Sequence, residues 1–160
     1  MSNSKPSVFV SSTCYDLRQV REDIRLFLEA IGYEPFLSEF DFFPVDPEKS
    51  VVENCFNVID KHADLFVLLV GGRYGSLSEK GKSVTNLEFL RAKAKDVSTY
   101  AFVQKAILEI LPVWESNPNG DFSAVVDSPK LFEFVRELIG SGKQWIFPFE
   151  TAQDVTDTLK

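Results

Sequence analysis

Three short stretches carry residue types that can do chemistry together. Ser11-Ser12-Thr13-Cys14-Tyr15-Asp16 puts three aliphatic hydroxyls ahead of an acid. Gly71-Gly72-Arg73-Tyr74-Gly75 sets a guanidinium and a phenol ring among glycines. Ser83-Val84-Thr85-Asn86-Leu87-Glu88 adds a carboxylate. Hydroxyls beside the free N–H groups of a helix start suit a phosphate or a ribose. Arg73 offers a forked cation to a diphosphate and Tyr74 a flat surface to a base. The glycines let the backbone approach a ligand. Glu88 can stabilise an oxocarbenium-like ribosyl cation, or attack it as a nucleophile, as carboxylates do in glycoside cleavage. Each stretch also has a plain structural use. Ser12 or Thr13 can cap a helix, and Arg73 can lie solvated beyond a tight turn. Thr85-x-x-Glu88 also matches a capping box.

The surrounding elements decide whether these stretches meet. Ser7–Val10 reads as a buried strand. Asp16–Ile31 reads as a helix whose apolar face is Leu17, Val20, Ile24, Phe27, Leu28 and Ile31. Thr13-x-x-Asp16 resembles its capping box and Gly32 its stop. Tyr33–Leu37 is a second predicted strand. Asp46 caps a second helix with Pro47 in its first position, and Val51, Val52, Cys55, Val58 and Ile59 share one face. Asp64–Val70 is almost continuously apolar, the pattern of a central parallel strand buried on both faces. Thr85–Ala94 then reads as a helix and Thr99–Val103 as a strand. Gln104–Leu111 reads as a helix that Pro112 ends or kinks, followed by a turn-rich Glu115–Asp121. Pro129–Ile139 is an amphipathic helix stopping at Gly140. Gln144–Phe147 reads as a fifth strand and Ala152–Leu159 as a last helix.

Strands alternating with helices predict a three-layer α/β fold, flavodoxin-like, with a five-stranded, mostly parallel sheet. The expected order is 2-1-3-4-5. Ligands of such sheets bind beyond the carboxyl ends of the strands at the switch point. Here that point lies between strands 1 and 3, so the loops after Val10 and Val70 line the crevice. Residues 1–6 read as a disordered lead and residues 7–160 as a single domain.

Composition removes other classes. The chain has 160 residues, and 44% of them are hydrophobic, enough for a real core. Seventeen Lys and Arg against 24 Asp and Glu give a net charge of -7, which disfavours nucleic acid as a partner. Leu65–Val70 is the longest apolar run, too short for a membrane span, and the first residues lack a signal-peptide core. Cys14 and Cys55 both lie in apolar surroundings, as expected of packed thiols in a reducing, cytoplasmic compartment. A lone histidine, His62, argues against a multi-His metal site and a Ser-His-Asp triad. Gly81-Lys82-Ser83 imitates the end of a P-loop, but Ser76 stands where its first glycine belongs. Strand 3 ends in Gly71-Gly72, without the phosphoacceptor Asp of a receiver. Phe40, Phe42 and Phe43 form either a binding lip or loop packing.

Three ordered motifs also carry a resemblance. Val8-Phe9-Val10-Ser11-Ser12-Thr13 with Asp16-Leu17 and Arg21-Glu22 resembles the opening V-F-[IV]-S-S-T-x-x-D-L of a TIR-like family of domains of unknown function. Leu68-Leu69-Val70-Gly71-Gly72-Arg73-Tyr74-Gly75 is similar to its L-L-G-x-R-Y-G element. Ser83-Val84-Thr85-Asn86-Leu87-Glu88-Phe89 is similar to its S-x-T-x-x-E-[YF]. The family is grouped with TIR domains and nucleoside 2-deoxyribosyltransferases, which share the flavodoxin-like fold. Both use a glutamate in the corresponding element.

The resemblance therefore implies that Glu88 is catalytic. Carried over, Ser11, Ser12, Thr13, Asp16, Arg73, Tyr74 and Ser83 become substrate contacts. Asn86 departs from the pattern, since many members carry an acid there. The implied activity is that of a cytoplasmic signalling or defence effector, a hydrolase cleaving the N-glycosidic bond of NAD or a related nucleotide. NAD is then substrate, and no cofactor or metal is called for. Implied partners are the C-terminal modules of a longer chain and further copies of the domain on activation. Two readings stand beside it: a non-catalytic interaction or self-association module, and a domain that binds a nucleotide signal without turnover.

Overall fold

A strand without polar alternation must be covered on both faces, and the fold is built around such strands. In the computed structural model β1 (Ser7–Ser12), β2 (Glu34–Phe36), β3 (Leu65–Val70), β4 (Ser98–Gln104) and β5 (Ile146–Phe149) form one sheet. Its order is 2-1-3-4-5 and every neighbouring pair is parallel. The helices between them are α1 (Arg18–Ala30), α2 (Val51–His62), α3 (Val84–Ala94), α4 (Lys105–Ser116), α5 (Lys130–Gly140) and α6 (Ala152–Leu159). The structure describes residues 6–12, 17–37, 48, 51–72, 84–126, 128–140 and 146–159. The expected disorder of residues 1–6 falls, but for Pro6, outside these, as do Cys14 and the Phe40–Phe43 loop. The side chains of Cys55, His62 and Asn86 are likewise outside the description.

Strand side chains alternate between faces, and the core divides accordingly. Phe9, Phe66, Leu68, Val70, Ala101 and Val103 pack with α2, α3, α4 and α5 through residues such as Val58, Phe89, Ile107 and Leu131. Val8, Val10, Val67, Leu69 and Phe102 pack with α1 and α6 through Leu17, Ile24, Leu28 and Val155. The Phe9 and Phe66 rings, partners in the β1–β3 register, stack at 5.6 Å. The start of that pairing is stitched by Asp64. Its carboxylate accepts from the Ser7 N–H at 2.8 Å, and its own N–H donates to the Ser7 carbonyl at 2.8 Å.

Both outer strands contain a proline. Glu34 N–H donates to the Pro6 carbonyl at 2.8 Å, so Glu34 faces β1 and the nitrogen of Pro35 faces outward. Pro148 sits in β5, at the other edge. A proline is tolerated in a strand where its missing N–H is not needed by the ladder.

Several helix ends differ from expectation. α4 does not stop at Pro112 but runs on to Ser116. Proline removes one intrahelical hydrogen bond, yet Leu111 and Trp114 are both buried and hold the last turn to the core. Gly140 is the last residue of α5 and not a stop beyond it. The fifth strand is described from Ile146 and extends two residues past the expected Phe147. α1 starts at Arg18 with Leu17 as N-cap and no side-chain cap bond. Thr13 and Asp16, read as its capping box, lie outside the described residues.

α6 carries a true capping box that the sequence reading missed. The Asp154 carboxylate accepts from Glu150 N–H at 2.8 Å and Thr151 N–H at 3.1 Å, while Asp154 N–H donates to Thr151 Oγ1 at 3.4 Å. These donors, Glu150 N–H first, hold the Asp154 carboxyl below its ordinary range. A depressed carboxyl contributes stability above its ordinary pKa and loses it as pH falls through its folded value. Acidification should therefore fray α6 early. Amide exchange, corrected for its intrinsic pH dependence, should rise at Ala152–Leu159 below about pH 4 before it rises in β3.

α1 ends as expected at Gly32, whose φ is +90°. Gly32 N–H donates to the Glu29 carbonyl and Tyr33 N–H to the Leu28 carbonyl, a Schellman motif. Ala in the left-handed region is strained, whereas Ala at the last helical turn of α5 improves propensity. In urea titrations Gly32→Ala should lower the unfolding free energy by about 1 kcal/mol, and Gly140→Ala should raise it by up to about 1 kcal/mol.

Candidate functional site

The last two residues of β1 are both serines, and alternation sends them to opposite layers. Ser11 follows Phe9 toward α3, while Ser12 follows Val10 toward α1. Both lie on the switch-point side, paired with Leu68 and Leu69 of β3. Hydroxyls this deeply buried need partners. Ser11 Oγ donates to Glu88 Oε1 at 2.7 Å, a buried contact. Ser12 Oγ accepts from Arg21 Nη1. The Ser12 carbonyl accepts from Thr85 Oγ1 at 3.1 Å. Helices α1 and α3 are thus tied to one strand end by charged residues, one on each face.

This geometry replaces the capping-box reading of Thr85 and Glu88. The helix begins at Val84, so Thr85 lies inside it. Thr85 donates to β1, and Glu88 accepts a hydrogen bond from Ser11 Oγ. Glu88 is 5% exposed. An ionised carboxylate is an acceptor only, so the serine hydroxyl suits it as a donor.

α3 is fixed on further sides. Phe89 meets Phe134 of α5 edge-on at 6.1 Å. Arg91 grips the Asp60 carboxylate of α2 with two bonds, at 2.9 and 2.6 Å, and lies over the Phe56 ring. The hydrogen bonds to Asp60 raise the Arg91 pKa above its ordinary value. Glu88 therefore stands on a helix held by β1, α2 and α5. Such support is what a preorganised electrostatic group requires.

Of the expected site residues, the structure brings together Ser11, Ser12 and Glu88. Thr13, Asp16, Arg73, Tyr74 and Ser83 lie outside the described residues. The glycine pair before Arg73 is partly described. A Cβ at Gly72 would lie 2.6 Å from the Val125 carbonyl oxygen, so the chain leaving β3 passes against the 122–126 segment at a distance only glycine allows. Arg21 is the residue that the chemical reading passed over. It is 2% exposed and among the largest fully buried side chains. Its signal was positional, because Leu17, Arg21, Ile24 and Leu28 follow helical spacing along one buried stripe. A guanidinium in such a stripe is buried only with polar partners.

The family model of a domain of unknown function, DUF4062, matches residues 7–160, and the chain belongs to that family. No curated protein matches the chain. Among the described residues no helix is long and apolar enough to cross a membrane.

The Ser11–Glu88 bond has a measurable consequence. Removing one partner of a buried pair leaves the other short of a hydrogen bond, at a cost of about 1–3 kcal/mol. Ser11→Ala and Glu88→Ala should each destabilise by that order. The double variant should lose less than the two single losses combined, in urea denaturation of all four proteins. Additive losses would show that the two side chains are energetically independent.

Proposed function

We propose that this DUF4062 domain hydrolyses the N-glycosidic bond of NAD or a related nucleotide, as a TIR-like signalling or defence effector with Glu88 as its catalytic carboxylate. The observation that carries the reading is the buried Glu88 carboxylate, oriented by Ser11 at the carboxyl end of β1. That end of a doubly wound sheet is where ligands bind. Cleavage of a nicotinamide riboside bond develops positive charge at the anomeric carbon. A fixed negative group in a low-dielectric site stabilises that charge without reorganising. The C–N bond breaks with its electron pair on the nicotinamide nitrogen, so nicotinamide leaves neutral. Water oxygen bonds to the anomeric carbon and releases one proton. In this reading Arg73 and the start of α1 hold the diphosphate, and Tyr74 faces a base. Thr13, Asp16 and Ser83 complete the contacts. Self-association through further copies, or modules C-terminal to the domain, supplies activation in the cytoplasm.

A second reading rests on the same burial. Ser11, Thr85 and Glu88 also tie α3 to β1 as scaffold, which is what a non-catalytic interaction module or a nucleotide-signal-binding domain needs.

Nicotinamide release separates the readings. The purified protein at high concentration, incubated with NAD, should release nicotinamide by chromatography. Glu88→Gln keeps the size and hydrogen-bonding character of the side chain. It should cut the rate by about two orders of magnitude or more. Equal release from both proteins removes Glu88 from the chemistry. No release from the wild-type chain leaves the module reading in its place.

A further inference from the structure

We infer that Ser12, backed by Arg21, is the hydrogen-bond donor for a phosphoryl oxygen, so that the ligand straddles the end of β1 and is a nucleotide and not a nucleoside. The inference rests on the reading that this strand end takes a nucleotide-like ligand. It begins from proton bookkeeping at two adjacent hydroxyls. Ser11 gives its one hydrogen to Glu88. Ser12 is the reverse case, because its oxygen accepts from the Arg21 guanidinium. The Ser12 hydroxyl hydrogen then has to go elsewhere, and among the described residues no acceptor takes it.

Ser12 is 6% exposed and Arg21 2% exposed. A hydroxyl that accepts from a cation in a low-dielectric setting becomes a stronger donor. The acceptor it fits best is an anionic oxygen. Thr85 holds the Ser12 carbonyl, so the residue cannot turn freely away from this position. Glu88 serves the opposite face of the same strand end. A negative ligand group is therefore matched on the α1 side and a developing positive centre on the α3 side. A phosphate ester joined to a ribosyl carbon has that polarity, whereas a free nucleoside lacks the negative part. Arg21 acts here as a positioning residue through Ser12.

Isothermal titration with ADP and with adenosine tests this. The wild-type chain should bind ADP more tightly than adenosine. Ser12→Ala should weaken ADP about tenfold and leave adenosine unchanged. Arg21→Lys keeps the charge but not the fork, and should produce the same selective loss. If Arg21→Lys fails to fold, the Ser12→Ala comparison decides alone. Ser12→Ala binding ADP as well as wild type overturns the inference. So does an equal loss for both ligands, the mark of a packing role, and so does a wild-type chain that binds neither. Nicotinamide release from Glu88→Gln is a separate readout. If wild type releases no nicotinamide while Ser12→Ala still loses ADP, the glycosidase reading falls and the phosphoryl site stands. Release that persists in Glu88→Gln removes only Glu88 from the chemistry.

Discussion

Two hydroxyls at the end of one central strand constrain much of the molecule. β1 is covered on both faces, so its side chains have no solvent to turn to. Its last two residues are polar, and each must find a partner in a different layer. Ser11 requires an acceptor from α3, and Glu88 supplies it. Ser12 meets Arg21 of α1 on the other side. These contacts set where the two helices begin relative to the sheet. Val8, Phe9 and Val10 fill the middle of the strand with apolar packing, so apart from Ser7 at its start the polar side chains of β1 lie at its carboxyl end.

The charged contacts elsewhere have a different weight. Arg25 pairs with Glu22 and Glu29 along α1, and Lys105 pairs with Glu150 at the surface. Pairs of this kind contribute little, because water screens them and the side chains lose freedom. The Arg91–Asp60 pair differs in joining two helices, and its two bonds align α2 with α3. The polar groups beneath β1 are buried, and there every lost partner is felt. The polar contacts that position α1 and α3 are thus concentrated at one end of the sheet.

The strand order was legible because Leu65–Val70 has no polar alternation and Gly32 marks a clean stop. The position of Glu88 was legible from its spacing after Thr85. Its partner was not, since nothing local distinguishes a helix-capping acid from one that reaches a strand. Thr85-x-x-Glu88 and Thr151-x-x-Asp154 are alike in sequence. Only the second caps its helix, because the first has the end of β1 within reach. Arg21 was obscured for a related reason. An arginine in a surface helix normally reads as solvated, and only its place in the Leu17–Leu28 stripe marked it as interior. Pro112 shows the same limit from the other direction. Local propensity ends the helix there, while burial of Leu111 and Trp114 continues it.

The prolines at the two outer strands bear on how copies of this domain can come together. A sheet grows from its rim by offering a row of N–H and carbonyl groups to a newcomer. One rim here is the three-residue β2 with the nitrogen of Pro35 turned outward, and the other is β5 with Pro148. At the β2 rim the outward row of donors is broken at Pro35. Recruitment by strand addition is poorly served at that rim, where a newcomer meets a short and interrupted template. Growth of the sheet past β2 would have to accommodate a residue that has no N–H to give, so that rim closes the sheet chemically as well as geometrically.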